Sequence, residues 1–260
     1  MLTRVYLGGV GLHEISRDVL VTAVSEGAPA TQRQTMARGS RVGQWVSDEA
    51  RSYLEIAVCF ALRNRRDTQK RAETLERVCA WAAGGGILTV SYRPERQLRV
   101  VCEALPEAGS LREWTSEYEL RLRAYDVPYW EDEREAVCTV RASGHEGVLV
   151  RRGTACTQAS FAARNAGSGT VQALEIDVGD SHMAFANLAL ASGETLCLDD
   201  AQDGTQRIRI LGTDGAARDA YACRTPASSD ALLLRGERET LLLRCDSEMD
   251  WTIRHRGRYA

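Results

Sequence analysis

The segment from Trp81 to Trp130 constrains this chain more than any other, because it reads in order as a helix end, a hairpin and a long strand closed by an aromatic-proline corner. An apolar stripe at three- and four-residue spacing (Ala72, Leu75, Val78, Cys79, Ala82) runs up to Gly84-Gly85-Gly86, and glycine supplies the left-handed residue on which many helices stop. Ile87–Tyr92 and Gln97–Ala104 then flank Arg93-Pro94-Glu95-Arg96, where Pro94 is preset for a turn. From Thr115 to Tyr125 the residues Tyr118, Leu120, Leu122 and Ala124 alternate with Glu117, Glu119, Arg121 and Arg123, so one face is apolar and the other charged. Pro128-Tyr129-Trp130 breaks the alternation. The segment holds no acid-base, metal or phosphate motif, which describes a scaffold.

Upstream, Leu54, Ile56, Val58, Phe60 and Leu62 give Tyr53–Leu62 the same period of two, and a polar turn, Arg63–Asp67, leads into the helix with Asn64 or Asp67 as its cap. Trp81, at the helix end, is expected to pack against the sheet as a core residue. Thr31–Glu49 is long, polar and without period. It reads as a surface loop or as an arm reaching a neighbouring subunit, with Arg38, Arg41 and Trp45 as anchors. The charged face carrying Arg121 and Arg123 meets either solvent or that neighbour. Downstream, the acidic run Glu131-Asp132-Glu133 marks a boundary, giving domains at 1–133 and 134–260. Short apolar runs follow at Leu174–Val178, Phe185–Leu190, Thr195–Leu198, Arg207–Leu211, Ala231–Leu234 and Thr240–Cys245, separated by Gly- or Asp-rich turns. That spacing predicts a β-sandwich.

Composition removes several functional classes. Residues 1–130 carry 18 Arg/Lys against 16 Asp/Glu and residues 131–260 carry 15 against 20, so neither half is basic enough to make nucleic acid a specific partner. No apolar run approaches the ~20 residues of a membrane helix, and Met1–Gly9 lacks the apolar core of a signal peptide, which predicts cytoplasmic maturation without membrane insertion. The eight cysteines are too far apart for a zinc ribbon and several lie in apolar runs, where a thiol packs as a small hydrophobe. His13, His145, His182 and His255 show no paired ligand spacing. Asp199-Asp200 with Asp203 and Gly204 lacks the ligand progression of a calcium loop and reads as a hairpin turn. Gly8-Gly9-Val10-Gly11 has no buried strand before it, and Gly84–Gly86 follows its helix, so neither is a phosphate loop. These readings leave no catalytic residue, cofactor or metal site.

The order of elements resembles the distal tail protein family of long-tailed, siphovirus-type bacteriophages and prophages. The resemblance rests on the strand Leu54–Leu62, the helix with Trp81-Ala82, Ser91-Tyr92-Arg93-Pro94, Leu105-Pro106, the strand Tyr118–Tyr125 and Pro128-Tyr129-Trp130. In the second half it rests on Ser192-Gly193-Glu194-Thr195-Leu196, Leu198-Asp199-Asp200, Trp251-Thr252-Ile253 and Gly257-Arg258-Tyr259. It implies a mainly β protein: an N-terminal tail-tube-like sandwich or split barrel with one α-helix, forming a ring, and a C-terminal galectin-like β-sandwich. The implied role is a non-catalytic hexameric ring at the end of the tail tube, joined to the tail-tube protein, the tail hub or tail-associated lysin, and receptor-binding or baseplate proteins. Its expected place is the virion tail, after assembly in the bacterial cytoplasm. The alternative is a carbohydrate-binding module for host-surface recognition, although residues 138–250 offer only Phe161, Phe185 and Tyr221 as aromatics. Limited proteolysis is expected to nick between Trp130 and Cys138 and leave two resistant fragments; cuts confined to Ile87–Tyr125 would contradict the division.

Overall fold

The computed structural model describes residues 3–28, 30–37, 44–63, 67–106, 117–200 and 206–260, with backbone alone at 30–37, 44–51 and 200. The chain is mainly β and forms two compact units, residues 1–131 and 132–260. The first contains β1 (Val5–Leu7), β2 (Val10–Gly11), α1 (Leu12–Ile15), β3 (Val19–Glu26), β4 (Ala30–Ala37), β5 (Gln44–Leu62), α2 (Thr68–Ala83), β6 (Gly86–Val90), β7 (Arg96–Ala104) and β8 (Glu117–Ala124), and ends in β9 (Trp130–Asp132). Its sheet runs β2-β1-β6-β7-β8-β5-β3, with β4 folded back on the start of β5.

The period-two reading of β5 and β8 becomes a shared face: Ile56 lies opposite Leu122, Val58 opposite Leu120 and Phe60 opposite Tyr118, all buried. The Phe60 and Tyr118 rings stack at 5.5 Å. Helix α2 lies over this unit's core. Asp67 caps it by accepting the Lys70 backbone N–H at 3.0 Å, and Gly85 ends it in the left-handed conformation at φ 58°. A side chain at Gly85 would also come within 2.5 Å of the Val100 carbonyl, so turn geometry and strand contact both require glycine there. The helix buries Arg71, Thr74, Leu75, Val78 and Ala82, a stripe rotated from the expected Ala72 and Cys79. The reason is polar: Arg71 is buried and donates to the Tyr118 hydroxyl at 3.3 Å, an arrangement that an apolar periodicity cannot register.

Two further expectations change. A one-turn helix, α1, joins the single helix foreseen, and the described parts of the Thr31–Glu49 segment are strands: β4 pairs with β5 from Ala30 opposite Tyr53 to Ala37 opposite Gln44. A segment whose sequence is mostly polar has no period-two signal to read.

The second unit contains β10 (Ala136–Val150), β11 (Thr157–Gln158), β12 (Ser160–Asn165), β13 (Leu174–Val178), β14 (Ser181–Phe185), β15 (Thr195–Asp200), β16 (Gln206–Leu211), β17 (Ala217–Asp219), a 3-10 turn (Tyr221–Cys223), β18 (Leu233–Leu234), β19 (Arg238–His255) and β20 (Arg258–Tyr259). Strand β19 is its spine. One side of β19 pairs with β10; the other pairs with β13 through Leu241–Cys245 and then with β12 through Met249–Arg254. Phe161, Ile176, Phe185, Leu198, Ile208 and Trp251 come from six strands of this sheet yet share one core, so the sheet curls onto itself. Buried polar groups are answered inside. Gln206 donates to the Ala159 carbonyl at 2.6 Å and accepts the Leu232 N–H at 3.1 Å, while Arg151 donates to the carbonyls of Gly236, Ala155 and Arg235. The expected strand Phe185–Leu190 stops at Phe185, because Asn187 and Ala189 are left-handed, and Leu188 and Leu190 reach the core from a turn.

The tryptophans then separate. Trp130 and Trp251 are 1% exposed, whereas Trp81 is half-buried and donates its indole N–H to the Val10 carbonyl at 3.0 Å. Calorimetry is expected to show losses of ~3–5 kcal/mol for Trp130→Ala and Trp251→Ala and a clearly smaller loss for Trp81→Ala.

Candidate assembly surfaces

The charged face of β8 carries two residues expected at a subunit interface, and they sit in different surroundings. Arg123 bonds to Glu55 on β5 at 2.9 Å and to Glu103 on β7 at 2.8 Å, and its guanidinium lies 4.6 Å over the Tyr53 ring. Tyr125 donates its hydroxyl to Glu103 at 2.8 Å, so this network ties three neighbouring strands across their outer face. Among the described residues Arg121 pairs along its own strand, with Glu119 at 2.6 Å, and both side chains are about half exposed. Of the positions on the arm, Trp45 lies opposite Met36 in the β4–β5 ribbon, its side chain outside the described residues, as are Arg38 and Arg41 altogether.

A corner that sequence reasoning did not assemble joins two of its separate motifs. Glu26, the last residue of β3, accepts both Nε and Nη2 of Arg93 at 2.9 and 2.6 Å, the Tyr92 hydroxyl at 2.7 Å and the Trp130 indole N–H at 3.1 Å. The Arg93 guanidinium also lies 5.3 Å from the Trp130 ring centroid. Thus Tyr92-Arg93-Pro94 and Pro128-Tyr129-Trp130 meet at one carboxylate. Burial alone would raise the Glu26 pKa, but the Arg93 hydrogen bonds, the Tyr92 hydroxyl, the Arg93 charge and the Trp130 N–H together hold it below its ordinary value. Nothing local in the sequence marked Glu26, which lies 66 residues from Tyr92.

The chemistry available elsewhere is quiet. Burial is the first cause raising the thiols of Cys59, Cys79, Cys102, Cys156, Cys197 and Cys245, which keeps them in the unreactive protonated form at neutral pH. Burial lowers His255. Among the described residues no three His, Cys, Asp or Glu side chains group as metal ligands, and no helix is long and apolar enough to cross a membrane. Of the aromatics considered for a sugar platform, Phe161 and Phe185 are buried in the core and Tyr221 is exposed beneath the Arg224 guanidinium at 4.8 Å. Asp200 pairs with Gln206 across the β15–β16 hairpin, while Asp203 and Gly204 lie outside the described residues.

The fold of the chain, with this element order, one long helix over the first sheet and a curled second sheet, has a counterpart in a solved phage hub protein. The chain matches the solved structure of the Dit protein (gp 19.1) of phage SPP1, described as a paradigm of the hub adsorption apparatus in phages that infect Gram-positive hosts, with a TM-score of 0.70, 13% identity and 100% of both chains covered. It also matches the phage P2 baseplate in its activated conformation with Ca (TM-score 0.42, 8% identity, 98% of both chains) and with Sr (0.40, 8%, 97% of both). No family model and no curated protein matches the sequence.

Glu26→Gln is expected to destabilise the first unit by about 1.5–3 kcal/mol at neutral pH, the range for hydrogen bonds to a charged group. Because the native carboxyl titrates below its ordinary value of 4.5, this stabilisation is complete above that pH and disappears as the pH falls through the lowered native value. Melting curves of the native chain and of Glu26→Gln should therefore converge on acidification; a constant gap would rule out the assignment.

Proposed function

We propose that this chain is the distal tail protein of a long-tailed phage or prophage, a structural subunit whose first unit closes into a hexameric ring at the end of the tail tube. The observation that carries this reading is the end-to-end match to the SPP1 Dit protein over both units. On this reading the second unit is a galectin-like sandwich carried by the ring. The partners are further copies of the chain, the tail-tube protein, the tail hub or tail-associated lysin, and receptor-binding or baseplate proteins. Assembly takes place in the bacterial cytoplasm and the product resides in the virion tail.

The distribution of charge supports giving the ring to the first unit. Arg121 and Glu119 present both signs, half exposed, on one strand face, and the β4–β5 ribbon gives that unit an extended element beyond its sheet pairing. A closed ring repeats one head-to-tail contact at every subunit, so a single weakened contact acts on assembly far more than on folding. Arg121→Glu, or deletion of Arg38–Gln44, should leave a folded monomer by light scattering, while removal of residues 138–260 should leave the ring visible by electron microscopy. Arg123→Glu should instead lower the melting temperature of the first unit, because it sets a third carboxylate beside Glu55 and Glu103. A first unit that stays monomeric at high concentration and does not join a tail-tube end, with a second unit that oligomerises alone, would reverse the assignment.

A further inference from the structure

Strand β10 runs for 15 residues and pairs along one side with β19; among the described residues no strand pairs with its other side. Sheet edges are usually blunted by brevity, proline, charged side chains or a bulge. β10 carries charge and a register break only at its middle, at Arg141, Glu146 and the shift after Ala142, while Val137, Val148 and Val150 toward its ends are 57%, 50% and 57% exposed.

The pattern of side chains on this strand is symmetric. Before Ser143 the outward residues are Val137, Thr139 and Arg141; after Gly144 they are Glu146, Val148 and Val150, because the alternation slips by one where Ser143 and Gly144 are both exposed and the register with β19 shifts. These six outward positions lie in mirror order about the Ser143–Gly144 bond, although exposure itself does not mirror along the whole strand, since Cys138 is exposed where Leu149 is buried. Set a second copy antiparallel with its Gly144 opposite Ser143, and Val137 faces Val150, Thr139 faces Val148 and Arg141 faces Glu146, each twice. Every outward side chain meets an outward side chain, and the two opposite charges on the strand meet each other. A register two residues away in either direction sets Arg141 against Val148 or Glu146 against Thr139, which separates the charges. Arg141 already donates Nε and Nη2 to Glu248 at 3.1 and 3.4 Å, and its side chain remains 62% exposed, so Nη1 is available to a second acceptor.

We propose that β10 is an isologous docking edge through which two copies of this chain pair antiparallel, continuing the second unit's sheet across a two-fold axis at Ser143–Gly144. The contact is independent of a ring built by the first unit. Whatever that unit assembles, pairing through β10 doubles the number of chains.

The test uses the full-length chain and two single variants. In Arg141→Glu both facing pairs become Glu with Glu, and in Glu146→Arg both become Arg with Arg. Each variant alone is expected to bind its own kind at least about tenfold more weakly than the native chain, halving the mass seen by light scattering at a concentration where the native chain is paired. An equimolar mixture of the two variants restores Arg opposite Glu at both positions and should regain the doubled mass, which repair of folding within one chain cannot produce. Native mass that never doubles with concentration, variants that pair as well as the native chain, or a mixture that stays at half mass would each overturn the proposal. If Arg141→Glu does not fold, Val148→Lys places a lysine on the edge and should halve the mass with an unchanged melting curve; no change in mass would again overturn it.

Discussion

The Glu26 carboxylate fixes the geometry of the first unit. Four donors from two distant segments converge on it, and they come from the hairpin turn between β6 and β7 and from the first residue of β9. An isolated carboxylate among these rings would be expensive to keep charged, and an isolated Arg93 equally so; together they satisfy one another while Trp130 packs at 1% exposure beside them. The hairpin turn, the end of β3 and the exit from the sheet are thereby held in one arrangement. The Arg123 network does the same for the opposite concern, register, by linking β5, β7 and β8 across the face that hydrophobic pairing leaves open.

Much of this was legible in the sequence, and the reasons differ by element. Helix α2 spans the Thr68–Ala83 range that its stripe and glycines imply, because cap, stripe and stop agree. The buried positions of β5 and β8 follow from strict alternation, since each strand has one face in the core. In the second unit Leu174–Val178 is a strand as read, but β10 and the full length of β19 were not visible. β10 has few core-facing residues, and Asp246-Ser247-Glu248 interrupts the apolar pattern of β19 where its register with β10 shifts. Ser160–Asn165 escaped because Ala162 and Ala163 carry little periodic signal, although Phe161 and Ala163 are buried.

The assembly positions show a different limit. Alternating charge on β8 identified a polar face but could not distinguish a residue tied into its own sheet from one left for a neighbour. Arg121 and Arg123 are two residues apart on one face, yet Arg123 has acceptors on both flanking strands and Arg121 has one on its own. The difference comes from what the sheet order places beside each position, Glu55 and Glu103 for Arg123, and strand order is long-range information. The Glu26 corner was hidden for the same reason: its motifs were visible singly, and only the topology shows that they share an acceptor.

The position of β19 in the chain has a consequence for how the molecule is made. Its partners β10, β12 and β13 all precede it in sequence, and β10 waits from Ala136 until His255 for its opposite residue. On the ribosome the first unit can pair β1 to β8 while the second has emitted most of its strands without the one that joins them, and loop closure over such separations is slow. During that interval the valine-rich β10 has neither edge covered. A nascent second unit is therefore the stage at which this protein is most exposed to mispairing, and residues 238–255 set the moment when that exposure ends.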